Sequence, residues 1–298
     1  MDVPGAYGCD PVRITDPRED SHGLVETNRE LWDGWTELHV PSKFYDVHGF
    51  KAGRETLDAV ELEGVGAAVG DIRGKSLLHL QCHFGLDTFS WERHGARVTG
   101  VDFSENAIDH ARRLARELGS DARFHCADVT DPDAVHAALA DGQFDVVFTS
   151  HGTISWLPDL KPWARTVADT LKPGGTFFIA DSHPFTWMFD ETAEPELRLR
   201  FDYFEQAALR WEEKGSYAAP DGDFEGVSHS WQHSFDEIVG SLVAAGLQVT
   251  SLRGYPYLFW QWFPWMVKDA GGRFRLPDGM PQIPLMFPLT AVKPESDA

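Results

Sequence analysis

The segment Ser76-Leu-Leu-His-Leu-Gln-Cys-His-Phe-Gly85-Leu-Asp-Thr, followed by Ala96-Arg-Val-Thr-Gly-Val-Asp102, constrains this chain more than any other. It reads as a buried strand, a tight turn, a helix, and a second strand ending in a carboxylate. Asp102 lies 17 positions past Gly85. An acid at that spacing suits hydrogen bonds from the two hydroxyls of a ribose. A nucleoside-containing ligand is therefore the first expectation.

A dinucleotide-binding turn wants G-x-G-x-x-G. Here Gln81, His83 and Gly85 hold the corresponding positions, and two side chains stand where a pyrophosphate needs bare backbone. That argues against NAD or FAD. The pattern instead resembles motif I of the class I S-adenosylmethionine (SAM)-dependent methyltransferases. In that family a hydrophobic strand, a glycine-containing turn and a ribose-binding acid recur with no pyrophosphate to accommodate. The family usually has Asp, Gly and Gly where this chain has His79, Gln81 and His83. The variant LHLQCHFGLDT looks like that of a bacterial subgroup of small-molecule methyltransferases.

The resemblance covers roughly residues 74–183 and 234–293. It implies an α/β fold, a Rossmann-like, mostly parallel sheet of seven strands with helices on both faces and the last strand antiparallel. It also implies S-adenosyl-L-methionine as cofactor and S-adenosyl-L-homocysteine as product. The residues it places around the cofactor are Gln81, His83, Gly85, Asp102, Phe103, Asp128, Val129 and Ser150. His83 could face the methionine carboxylate, and Gly85 would let backbone pass close to the ligand. Asp128 would accept from the adenine amino group, with Val129 N–H on a ring nitrogen. The competing reading of Asp128 is a turn former before Thr130-Asp131-Pro132.

The chain has 298 residues, enough for a core that needs no disulfide or metal. Three widely spaced cysteines, Cys9, Cys82 and Cys126, read as reduced thiols in a cytoplasmic protein. No signal peptide and no apolar run of about 18 residues is apparent, so no membrane partner is expected. Acidic residues outnumber basic ones 47 to 26, for a formal charge of −21. That field repels phosphate backbones, and nucleic acid is excluded as a partner. The expected partner is a small-molecule acceptor, the expected assembly a monomer or homodimer.

Residues 1–24 lack periodicity and read as a flexible tail, followed by one methyltransferase domain over 25–298. An N-terminal helical cap over 25–73 is expected, with one helix capped at Thr27 and another over Arg54–Val69. Strands are predicted at 76–81, 97–102, 122–127, 144–149 and 175–181, and helices at 85–94, 104–118, 132–140 and 159–171. Ser234-Phe-Asp-Glu237 is a capping box opening a helix to Ala245. Strands at 247–253 and 285–292 finish the sheet. Strand–helix alternation of this kind implies a parallel sheet covered on both faces. Segments 184–233 and 254–283 fall outside the pattern and read as substrate-lid insertions at the carboxyl edge, where ligands bind.

Two histidines are candidate catalytic residues. His151 follows the strand 144–149, in the loop that lies beside the sulfonium methyl in the family. An imidazole titrates near neutral pH and can act as general base, or it can pack on the cofactor and shape the pocket. His183 is the second candidate. His79, inside an apolar strand, reads as core. His229 and His233 are four apart but lack a third ligand, so no metal is expected. Tyr255–Trp265 holds seven aromatics without helical phasing, in a chain with 11 tryptophans. Tyr45, Trp156, Tyr257 and Trp260 are the candidate substrate-binding residues, rings that could exclude water and stack on an apolar acceptor. The leading function is methyl transfer to an O, N or C nucleophile of a small, aromatic or apolar metabolite of natural-product type. The alternatives are a relative that binds SAM or its product and catalyses a non-methylating reaction such as cyclisation, and a non-catalytic cofactor-binding regulator.

Overall fold

In parallel strands buried on both faces, nearly every side chain must be apolar, and the runs at 76–80 and 144–150 meet that demand. In the computed structural model, residues 11–14, 21–140, 142–190, 194–205 and 207–295 are described. The chain begins with β1 (Val12–Ile14), α1 (Ser21–His39), α2 (Val47–Lys51) and α3 (Ala59–Val69). The alternating section follows as β2 (Ser76–Leu80), α4 (Leu86–Arg93), β3 (Arg97–Asp102), α5 (Glu105–Leu118), β4 (Arg123–Cys126) and α6 (Pro132–Leu139). It continues through β5 (Phe144–Ser150), α7 (Leu160–Thr170) and β6 (Leu171–Ser182). After β7 (Ala208–Lys214) and β8 (Glu225–Ser230) come α8 (Phe235–Ala244), β9 (Gln248–Leu252), β10 (Tyr257–Leu258), β11 (Val267–Lys268), β12 (Phe274–Arg275) and β13 (Met286–Val292).

The central sheet has seven strands in the order β4-β3-β2-β5-β6-β13-β9. From β4 to β6 the neighbours are parallel. β13 runs antiparallel to both β6 and β9. Strand order reverses between β2 and β5, and such a switch point opens a crevice at the carboxyl edge. One face is covered by α7 and α8, with Trp163 fully buried among Val147, Phe177 and Phe287. The other is covered by α3 and α4, where Trp91, Phe148 and Phe178 pack together.

The N-terminal region departs from expectation. Val12–Ile14 is not loose: it pairs antiparallel with Ala208–Arg210. Residues 1–10 and 15–20 lie outside the described residues. α1 begins at Ser21, and Thr27 sits inside it, its hydroxyl donating to Gly23 O at 3.0 Å rather than capping. The helix expected from Arg54 starts only at Ala59, because Asp58 and Glu61 form a capping box there. That box satisfies the first backbone donors of the helix and stops it from extending backward.

Both insertions contain strands. Segment 184–233 supplies β7 and β8 to a sheet of order β1-β7-β8, and 254–283 folds as β10-β12-β11. Aromatic density in 255–265 partly serves the core, with Leu258 and Phe263 fully buried against the sheet. Among the described residues no helix is long and apolar enough to cross a membrane. Cys82 is buried and Cys126 exposed, both as free thiols; Cys9 lies outside the described residues.

Gly85, the N-cap of α4, has φ +85°. A Cβ there would meet the Phe124 ring at 2.6 Å. This glycine is thus required by Phe124 packing as well as by a left-handed turn, and not, as expected, by close passage of a ligand alone. Gly85→Ala should lower stability by about 2–3 kcal/mol, from backbone strain plus overpacking, read by urea denaturation.

Candidate functional site

Parallel strands leave their last backbone groups unpaired at the carboxyl edge, and here buried carboxylates collect the N–H groups of the exit loops. Asp181, at the end of β6 and 1 % exposed, accepts from Gly152 N and Thr153 N, each at 2.8 Å, and from Ile154 N at 3.3 Å. Its carboxylate therefore sets the loop that carries His151. Gln81, with φ +56°, reaches the same loop and donates from Nε2 to Thr153 O at 2.8 Å. The sequence reading passed over Asp181; an acid closing a buried strand was the available signal.

Asp102 does the same for the turn after β2. Its two oxygens accept from His83 N at 2.8 Å and Ser104 N at 2.9 Å. Burial pushes its carboxyl up to about 6, and each oxygen retains a lone pair for a further donor. The His83 ring meets His39 of α1, His83 Nε2 lying 3.0 Å from His39 Nδ1. Around the pair stand Trp32, Tyr45, Phe84 and Tyr217. Trp156 packs edge-on against Trp32 at 5.2 Å. The hydroxyls of Tyr45 and Tyr217 share a hydrogen bond. Tyr45 and Trp156 thus lie in an aromatic cover over the β2 turn, contributed by α1, the following loop, the 154–156 turn after β5 and the 215–220 turn.

The remaining expected ligand contacts have present partners. Asp128 Oδ1 accepts from Thr130 N at 2.8 Å and Thr130 Oγ1 at 2.7 Å, so it forms the local turn. Val129 is buried, and its carbonyl accepts from Thr166 Oγ1. Phe103 is half-buried, with its carbonyl facing Cys126 Sγ. Gln81 Oε1, His83 Nδ1 and His39 Nε2 are buried without a hydrogen-bond partner. Orphaned buried polar atoms cost free energy. Together with the spare lone pairs of Asp102, they fit a polar nucleoside ligand with an amino-acid tail.

The second half of the site gathers on His151. Its Nε2 lies 2.9 Å from Asp58 Oδ2 and 3.5 Å from Glu61 Oε1. Ser150 Oγ donates to Glu61 Oε1 at 2.5 Å. The Trp260 ring stands 5.0 Å from the imidazole. Burial would lower the imidazole, but the Glu61 charge and the Asp58 hydrogen bond outweigh it and hold His151 up at about 9. Burial pushes Glu61 upward as well. The ligand atoms of Asp58, Glu61 and His151 lie within 4.8 Å of one another, close enough for a cation. The expectation of no metal did not weigh this cluster, whose members are also joined by hydrogen bonds.

His183 stands apart from this cluster: its Nδ1 accepts from Phe185 N at 3.1 Å, its ring packs on Phe235, and burial lowers it to about 4. Tyr257 faces the guanidinium groups of Arg273 and Arg275. Trp262 packs on Trp187 and Trp265 stacks on Phe263. His229 lies in β8 and His233 Nε2 donates to Leu157 O at 2.8 Å, so the two do not form a pair. His79 is core, bonded through Nδ1 to Thr88 Oγ1 at 2.8 Å.

Sheet order and switch point are those of a Rossmann-like fold that solved SAM-dependent methyltransferases share. Residues 78–179 match the methyltransferase domain family. The ubiquinone biosynthesis O-methyltransferase of Aeromonas salmonicida is 28% identical over 141 residues, 47% of this chain and 57% of that protein. Its counterpart from Escherichia coli O157:H7 is 30% identical over the same shares. The chain thus spans little more than half the length of the curated relatives it matches. Among solved structures, a SAM-dependent methyltransferase from Listeria monocytogenes superposes with TM-score 0.53 at 20% identity, over 80% of this chain and 99% of that one. One from Mesorhizobium loti gives 0.51 at 20% identity, over 78% and 98%.

Burial lowers His39 and His79 each to about 3, against an ordinary 6.5. A histidine depressed on folding contributes stability that is full above 6.5 and lost as pH falls toward the folded value. Each should cost about 1.4 kcal/mol per pH unit across that window. Melting temperature should therefore fall steeply between pH 6.5 and 3, and less steeply in His39→Asn.

Proposed function

We propose that the protein transfers a methyl group from SAM to an oxygen, nitrogen or carbon nucleophile of a small aromatic or apolar molecule. The observation that carries this reading is His151. In a methyltransferase fold, it stands at the switch-point edge with a free ring nitrogen and the Trp260 ring beside it. SAM supplies an electrophilic methyl group and leaves as S-adenosylhomocysteine. Asp102 would hold the ribose hydroxyls, and the orphaned atoms of Gln81 and His83 would meet the amino-acid end. Trp32, Tyr45 and Trp156 exclude water from that side, which strengthens each polar contact. Trp260 offers an apolar face to the acceptor, and His151 takes its proton in the neutral form, which gains population as pH rises toward about 9. Cytoplasmic location belongs to the same proposal, as does O-methylation, the activity in the name of the curated relatives, which are ubiquinone biosynthesis O-methyltransferases.

The test of the cofactor half is titration calorimetry. Asp102→Ala should weaken SAM binding by about 2–3 kcal/mol, through loss of charge-assisted hydrogen bonds. Unchanged affinity in a folded variant sinks the assignment.

The acceptor half is tested with a panel of phenols, amines and enols followed by mass spectrometry. His151→Ala should lower kcat about 10²-fold while SAM affinity stays nearly intact. An equal loss of SAM affinity would make His151 a pocket-shaping residue, and binding without turnover on any acceptor would favour a regulator.

A further inference from the structure

We propose that Asp58, on the N-terminal cap, is the positioning residue of His151: it holds the ring proton on Nε2 and presents Nδ1 to the acceptor. The inference rests on His151 serving as the base in the reading above.

The capping box of α3 needs only one oxygen from each of its members. Asp58 Oδ1 does the capping, accepting from Val60 N at 2.7 Å and Glu61 N at 3.0 Å. Glu61 Oε2 closes the box on Asp58 N at 2.7 Å. Both spare oxygens turn toward the loop after β5. Asp58 Oδ2 meets His151 Nε2 at 2.9 Å, and Glu61 Oε1 takes the Ser150 hydroxyl while standing 3.5 Å from the same Nε2. A helix cap does not require either contact. The box has been placed so that a local device of α3 grips a residue 93 positions away.

An ionised carboxylate only accepts hydrogen bonds. Nε2 against the Asp58 carboxylate must therefore carry hydrogen in both states of the ring. In the neutral ring the lone pair sits on Nδ1, which is buried and has no partner among the described residues. The proton step balances without any other reagent. The acceptor X–H bond breaks, its electron pair stays on X, and the proton bonds to Nδ1. The resulting imidazolium lies between Asp58 and Glu61, which stabilise its charge. Glu61 from α3, its N-cap Asp58, Asp181 from β6 and Asp87 from α4 are the charged groups acting most strongly on the ring, and all are acids.

Asp58→Asn separates the two roles of this side chain. Asparagine is as good a cap as aspartate, so its carbonyl oxygen can keep the bonds to Val60 and Glu61. Its amide then puts N–H groups opposite Nε2, which drives the ring hydrogen to Nδ1. Imidazole 15N–1H spectra, recorded without any acceptor and at a pH above the His151 midpoint of about 9, should show the neutral ring protonated on Nε2 in the wild type and on Nδ1 in the variant. The His151 midpoint should drop by roughly one unit or more as a facing charge is removed. With a competent acceptor, kcat on the high-pH plateau, where the base is neutral in both proteins, should fall about 10²-fold or more at unchanged SAM affinity, and the rising limb of the pH–rate profile should move to lower pH. If Asp58→Asn unfolds the protein, Asp58→Ser keeps a one-oxygen cap without the carboxylate and is scored the same way. An unchanged tautomer and midpoint overturn the positioning role. A switched tautomer with undiminished turnover leaves it standing and instead overturns His151 as base.

Discussion

The arrangement of the site depends on the buried carboxylate of Asp181. A single side chain gathers the amides of three successive loop residues at the end of β5. Without it those donors would face a low-dielectric interior unpaired, at a cost of about 1–3 kcal/mol each. The loop so held fixes the direction of His151, and through Thr153 O it also anchors Gln81 in the neighbouring turn. Asp102 acts alike from β3, on the other side of β2 and β5. The carboxyl edge is thus shaped by two acids before any ligand is considered, and both halves of the site hang from it.

The alternating section was legible because each of its signals is local. Parallel strands appear as short apolar runs, and Ser104, Asp131, Asp159 and Ser234 each stand directly before the helix they begin. Those helices and strands therefore fall within a residue or two of expectation, with β6 the exception at its start. The N-terminal cap was less legible for physical reasons. Asp58 and Glu61 sit inside a stretch whose apolar spacing continues backward to Leu57, so periodicity overran a helix start that only the side-chain oxygens mark. Val12–Ile14 is a strand solely because β7, far along the chain, offers it an edge.

The site shows the same division. Asp102 and His151 could be found from their place after strands, since topology sends those positions to one edge. Their partners could not. Asp58 and Glu61 reach His151 from another layer, and Tyr217 completes the aromatic cover from a turn with no motif of its own. Among the seven aromatics Trp260 is the one whose ring meets His151: Phe263 and Trp265 stack on each other, Trp262 packs edge-on against Trp187, Tyr257 lies beneath two arginines, and Tyr255 and Phe259 pack on Tyr257. An aromatic-rich segment announces burial, but which ring is left for a ligand is decided by the three-dimensional remainder.

The placement of β13 carries a consequence for the order in which the molecule is made. It is threaded between β6 and β9, and both depend on it for their hydrogen bonds on that side. A nascent chain emerging from the ribosome can assemble β2 to β6 as soon as they appear. β9 must then wait, its edge bare, while the whole 254–283 segment is translated. During that interval the growing chain exposes two unsatisfied strand edges, β6 and β9, to any other extended peptide nearby. Delivery of Met286–Val292 closes both at once, so completion of the sheet is a single late event rather than a gradual accretion.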